Sequence, residues 1–337
     1  MPSPELGADM QRRDFITLIG GIAMRPRFAQ AQDRVRRIGV LMGYAEDDLE
    51  GQARSAAFLD GLQKLGWLQG RNIRVDIRWA VPDETEATQR LAKELAALQP
   101  DLIFSNNTLT TQALLKQTRS IPILFGGVSD PISSGFVESF RRPGGNVTGF
   151  INTESQLAGK WVQLLKEITP AVSRVTLLIN LEAASYAEGY LAVFKAAASS
   201  SGVEAIVAFV HDESEIESVI VAQAASPNTG LVVMPESFFV AHRAQIISLT
   251  ARYRLPCVYP FRAFAEQGGL LSYGNDQIDN FRRAASYADR ILKGEKPGEL
   301  PVQAPVKFEL MINLKTAGAL GLDVPFSLQQ RADGLIE

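Results

Sequence analysis

The chain has 337 residues, enough for two domains at roughly 100–200 residues each. Its residues are 46% hydrophobic and 21% charged, and 34 Lys and Arg stand against 37 Asp and Glu for a net charge of −3. This balance excludes a strongly basic nucleic-acid binder and a disordered chain, and no apolar run approaches the ~20 residues of a membrane-spanning helix. A single cysteine, Cys257, excludes an internal disulfide; within Leu255–Tyr259 it reads as a buried small hydrophobe.

Residues 1–33 differ from the rest. Arg12-Arg13-Asp14-Phe15-Ile16 opens an apolar stretch that runs to Met24, and Ala29-Gln30-Ala31 offers small residues at −3 and −1 of a cleavage site. A charged start, a short apolar segment and an A-x-A site make an export signal. The paired arginines before x-Phe-Ile resemble a twin-arginine signal. Cleavage after Ala31 would leave a mature chain of −4, since residues 1–31 hold four arginines and three carboxylates. Arg25 and Arg27 depart from the usual neutral region after the apolar segment, and a plain N-terminal tail is the alternative.

From Arg36 onward, short β-branched runs alternate with helix-period segments, the pattern of parallel sheets flanked by helices. Strands are expected at 37–42, 73–79, 101–105, 121–125 and 146–151. Helices are expected at 52–65, 84–98, 109–117 and 131–140. The second half repeats the layout. Helices fall at 155–168, 184–200, 213–225, 239–253 and 276–293, and strands at 174–179, 203–209, 230–234, 256–259 and 269–273. A strand then a helix capped by Asn313 fill 308–320. Arg37-Ile-Gly-Val-Leu-Met corresponds to Arg174-Val-Thr-Leu-Leu-Ile, and Ser120-Ile-Pro-Ile-Leu-Phe to Arg254-Leu-Pro-Cys-Val-Tyr. The halves therefore read as two similar doubly wound α/β lobes. Such sheets bind ligands beyond the carboxyl ends of their strands, so two facing lobes would enclose a cleft.

The residues at those ends are Tyr44, Asn107, Thr108, Ser129 and Asp130 in the first half and Asn180, Glu236 and Phe261 in the second. Asn107 and Thr108 before a helix start either receive an anion or simply cap the helix. Ser129-Asp130-Pro131 reads as an N-cap with Pro at the first helical position, and Asp130 either stops there or also faces the cleft. Glu236 either pairs with a ligand ammonium or is a solvated loop residue. Tyr44, Tyr186, Tyr259, Phe261 and Tyr273 are aromatic-wall or core residues. No G-x-G-x-x-G, phosphate-binding G-x-x-x-x-G-K or G-x-S-x-G motif occurs. His211 and His242 lack metal-ligand spacing. No catalytic residue, metal or cofactor is expected.

Arg12-Arg13-Asp14-Phe15-Ile16-Thr17-Leu18, Arg37-Ile38-Gly39-Val40-Leu41, Arg142-Pro143-Gly144-Gly145-Asn146-Val147-Thr148-Gly149 and Phe308-Glu309-Leu310-Met311-Ile312-Asn313-Leu314-Lys315-Thr316-Ala317 together resemble the ABC-transporter substrate-binding proteins. The branch resembled includes tryptophan- and phenylalanine-binding members, and the resemblance runs from about Arg12 to the C-terminus. It implies a type-I periplasmic binding fold. An export signal would fill 1–33, lobe one 34–150 plus 275–302, and lobe two 151–274 plus 303–337. Three crossovers near 149–153, 272–275 and 300–305 would join the lobes. It also implies a non-catalytic, monomeric periplasmic receptor that closes on an amino-acid-like ligand and docks on an inner-membrane permease. Its ligand contacts would be Tyr44, Asn107, Thr108, Ser129, Asp130, Glu236 and Tyr273. The alternative is a periplasmic sensor that presents its ligand to a membrane receptor.

Overall fold

A computed structural model describes residues 34–81, 84–180 and 186–337. The export signal expected at 1–33, its cleavage point and the expected helix start at 184 lie outside the described residues.

Two sheets are built from the β-branched runs. The first holds β1 (Arg36–Met42), β2 (Ile73–Trp79), β3 (Leu102–Ser105), β4 (Ile123–Val128) and β5 (Val147–Ile151). Its order is β2-β1-β3-β4-β5, and all neighbours are parallel. Its crossovers are α1 (Leu49–Lys64), α2 (Thr85–Ala97) and α3 (Thr108–Gln117). Strands β3, β4 and β5 are buried along their whole length, as expected of strands covered by helices on both faces.

The second sheet holds β6 (Arg174–Ile179), β7 (Glu204–Phe209), β8 (Thr229–Val233), β9 (Cys257–Tyr259), β10 (Leu271–Asn275), β11 (Phe308–Asn313) and β12 (Gly334–Ile336), in the order β12-β11-β10-β9-β8-β6-β7. The helices that follow β5 through β11 are α4 (Leu157–Ile168), α5 (Ala187–Ser200), α6 (Glu213–Ala224), α7 (Ser237–Ala241), α8 (Arg243–Arg252), α9 (Arg262–Glu266), α10 (Gln277–Leu292), α11 (Leu314–Leu320) and α12 (Phe326–Arg331). β10 and β11 run antiparallel and the other pairs parallel. Trp161 of α4, wholly buried, anchors this lobe's core, and its Nε1 donates to the carbonyl of Tyr273 at 2.7 Å.

Residues 35–337 form one compact unit. Although α10 leaves the second sheet at the end of β10, it packs on α1 and β4 of the first. The chain returns to β11 along β5, where Gln303 N donates to Gly149 O and Ile151 N to Gln303 O, both at 2.9 Å.

The chain departs from the expected elements at three places. Residues 131–140 form turns rather than a helix. Gly135 takes φ +70 directly after Ser133 and Ser134, a left-handed step that a right-handed helix cannot include. The helix expected over 239–253 divides at His242, where the backbone leaves helical geometry (ψ 17) between α7 and α8. The short elements α9, α12 and β12 carry too few residues to show a period.

Candidate functional site

In a sheet ordered β2-β1-β3, the crossovers leave β1 and β3 in opposite directions, and a crevice opens between their carboxyl ends. The second sheet repeats the arrangement between β6 and β8. Gly43 and Tyr44 follow β1, Asn106 and Asn107 follow β3, Asn180 follows β6 and Glu236 follows β8. These crevices face each other across one cleft lined by residues of both lobes.

The lobes touch across it. The Asn107 side-chain amide donates to Ser237 Oγ at 2.7 Å. Arg243 Nη2 pairs with Asp48 Oδ2 at 2.8 Å, both side chains largely shielded from water.

Two charged side chains line this cleft among the described residues, one of each sign. Glu236 is 1% exposed. Its Oε2 accepts the Asn180 backbone N–H at 2.8 Å, and its Oε1 has no hydrogen-bond partner among the described residues. Burial holds this carboxyl well above the ordinary carboxylate range, against the single N–H from Asn180. Arg54, on α1, is 5% exposed. Its Nε pairs with Glu50 Oε1 at 2.9 Å and its Nη1 donates to Gln277 Oε1 at 3.2 Å. Burial opposes its charge, but the Tyr44 and Glu50 oxygens beside it outweigh that and raise its pKa.

Aromatic rings complete the lining. Tyr44 and Phe261 flank the Arg54 guanidinium, their centroids 5.3 and 5.5 Å from its Cζ. Burial keeps the Tyr44 phenol protonated far above its usual range. Tyr186 lies on the lobe-two side, and burial raises its phenol pKa well above the usual range. Two glycines permit this geometry. A Cβ on Gly51 would fall 2.8 Å from Tyr44 Cβ, and one on Gly43 would collide with the Asn107 amide.

Of the residues expected from sequence, Tyr44, Asn107, Thr108, Ser129 and Glu236 are brought together in this lining. Asp130 and Tyr273 are not. Asp130, at φ +41, turns its carboxylate onto its own loop, where Oδ1 accepts Ser133 N–H at 3.0 Å and Oδ2 accepts Ser133 Oγ–H at 2.6 Å. Tyr273 stacks on Phe308, ring centroids 6.2 Å apart, within the second sheet. Sequence reasoning missed Arg54 and Asn152. Arg54 lies in an expected helix, but a helical period alone does not say which face meets a cleft. Among the described residues, no group of three or more His, Cys, Asp or Glu is placed to hold a metal.

The ABC transporter substrate binding protein family matches residues 44–336 of this chain. A tyrosine-binding protein of Clostridioides difficile is 26% identical over 266 residues, covering 79% of this chain and 75% of that protein. The L-Trp complex of an ABC domain from Streptococcus pneumonia superposes with a TM-score of 0.82 at 26% identity, covering 89% of this chain and 99% of the other. The ligand-free, open structure of a substrate-binding protein with adhesive properties from Clostridium difficile gives 0.68 at 24% identity, over 90% and 99% of the two chains. The fold is that of the type-I periplasmic binding proteins.

Proposed function

We propose a ligand and a mode of action for this chain, which belongs to the family of ABC transporter substrate-binding proteins: it is a periplasmic receptor that closes on a free amino acid and delivers it to an inner-membrane permease. One observation carries the ligand class. A carboxylate buried at a strand-order switch point, with one oxygen unpartnered, is complementary to an ammonium group. Water is excluded there, so an ion pair gains more than at the surface. The rings of Tyr44, Tyr186 and Phe261 suit an apolar or aromatic side chain. The L-Trp complex and the tyrosine-binding protein among the relatives support the same class.

Closure follows from the same arrangement. Lobe one, 34–150 with 275–302, and lobe two, 151–274 with 303–337, would rotate about the three crossovers, and a ligand touching both would favour the closed form. The receptor would act as a monomer, exported by the signal at 1–33 and cut after Ala31, with no catalytic step.

A thermal-shift series on the mature protein, refolded to strip carried-over ligand, tests the reading. The panel holds L-tryptophan, L-tyrosine, L-phenylalanine and the other amino acids, with sugars as controls. Ligand at 1,000 times its Kd stabilises by about 4 kcal/mol, a shift on the order of 10 °C for domains of this size. A shift with an amino acid that disappears in Glu236→Ala supports the proposal. A shift with sugars alone, or an amino-acid shift unchanged in Glu236→Ala, overturns it.

A further inference from the structure

Glu236 accounts for a ligand's cation and leaves its anion without a site. The helix start after β3 is the first place to look, because free N–H groups there favour a carboxylate. In this chain part of that start is taken up by its own cap. Asn107 Oδ1 accepts Thr110 N–H at 2.9 Å, Thr110 Oγ1 accepts the Asn107 N–H at 3.0 Å, and the Asn107 amide is committed to Ser237. The Thr108 hydroxyl accepts Ser129 N–H at 3.3 Å.

Arg54 is the one side chain lining the cleft that is cationic, among the described residues. It is fixed from several sides. Glu50 holds Nε, Gln277 holds Nη1, and the rings of Tyr44, Phe261 and Phe281 pack around Cζ, the last at 5.9 Å. Its Nη2 is buried and has no hydrogen-bond partner among the described residues. A guanidinium nitrogen in that position costs free energy until an acceptor arrives, and an anionic acceptor gives the stronger, charge-assisted bond.

We propose that Arg54 is the anion receptor of the cleft, taking the ligand's carboxylate on Nη2 while Glu236 takes its ammonium on Oε1. This rests on the amino-acid reading and adds to it a second anchor, on the opposite lobe, and an orientation. The carboxylate lies toward Gln277, whose Nε2 donates to Asn152 Oδ1 and Asn275 Oδ1 at the crossovers between the lobes. Because the guanidinium is prefixed by Glu50 and Gln277, little side-chain freedom is lost when the carboxylate binds. An amine lacking the acid group leaves Nη2 unpaired and should be rejected.

Titration calorimetry with matched probes tests this. The probes are L-tryptophan with L-tryptophanamide, and L-tyrosine with L-tyrosinamide, each measured on the wild-type protein and on Arg54→Met and Arg54→Lys. In the wild type the acid should bind at least 100-fold tighter than its amide. In Arg54→Met that ratio should collapse to within a few-fold, and Arg54→Lys should restore part of it. Since the amide probe alters the ligand and not the protein, a wild type that binds acid and amide equally overturns the proposal whatever the variants' stability. So does a ratio that survives in a folded Arg54→Met. Should no amino acid bind the wild type, the amino-acid reading fails, and indole-3-acetate and succinate then decide separately. Binding of either acid that is lost in Arg54→Met sustains the anion receptor, and no binding of either overturns it.

Discussion

At the scale of single residues, Glu236 gives the cleft a dependence on pH whose sign is fixed. Burial raises its carboxyl well above the ordinary range, with only the Asn180 N–H acting against it. Between the unfolded chain's value of ~4.3 and the higher folded one, the folded protein therefore holds a proton that the unfolded chain has released. The stability this group contributes is fully present below the unfolded value and is lost as pH rises through the folded one. Glu236→Gln keeps the neutral form at every pH. Its urea unfolding free energy should fall less than that of the wild type between pH 5 and pH 8, and parallel slopes would show the carboxyl already ionised in the folded state. A ligand ammonium beside Oε1 favours the charged form, so binding should release a proton, and calorimetric heats at pH 7 should differ between phosphate and Tris by the buffers' ionisation enthalpies. Glu236 was legible in the sequence because the run Gly230–Met234 fixes where a buried strand ends. Arg54 was not, since the neighbours that trap it, Phe261 and Gln277, lie more than 200 positions away in the chain. Asp130 was legible as a capping residue and misplaced as a cleft residue. Its type suits a turn whether or not a ligand stands nearby.

At the scale of elements, most strands and long helices could be read because burial on both sheet faces leaves uninterrupted β-branched runs and a helix leaves its period. What sequence could not supply was set by contacts across the chain. The break between α7 and α8 is one case. Arg243, at the first position of α8, donates from Nη1 to Val240 O at 2.8 Å and so satisfies a carbonyl of the preceding helix end. The same side chain then reaches the other lobe. The antiparallel β11 is another, because a strand's direction is decided by its connection and not by its composition. Gly43 shows how closely two elements depend on each other at the site. A methyl group there would press on the amide of Asn107, which caps α3 and bridges to Ser237. Gly43→Ala should destabilise the protein by about 1–3 kcal/mol, the usual range for overpacking, and weaken amino-acid binding as well. Denaturant melts with calorimetry check both effects. Unchanged stability and affinity would mean that Asn107 swings aside and carries neither role.

At the scale of the whole molecule, the Asp48–Arg243 pair joins the lobes, and if the chain closes on a ligand as proposed, the pair would set how strongly the closed form is favoured. Both side chains are mostly screened from solvent, at 12% and 15% exposure for Arg243 and Asp48, so the pair lies between an exposed bridge worth at most ~1 kcal/mol and a buried one whose disruption costs ~3–5 kcal/mol. Asp48 has a second duty. Its Oδ1 accepts the N–H groups of Glu50 and Gly51 as the N-cap of α1. Asn caps a helix about as well as Asp, so Asp48→Asn should remove the ion pair and keep the helix, while Arg243→Gln removes the pair from the other side. If the pair holds the lobes together, both variants should raise the amino-acid dissociation rate by a similar factor, about 5–30-fold for a loss of about 1–2 kcal/mol. Association should change little, since tuning within one interface is mostly in the off-rate. The double variant should then be no worse than either single one. Stopped-flow dissociation reads these rates, and small-angle scattering of the protein alone should report a larger radius of gyration in each variant. Additive losses in the double variant, or an effect confined to Asp48→Asn, would assign the result to the cap of α1 and leave closure to the contacts with the ligand itself.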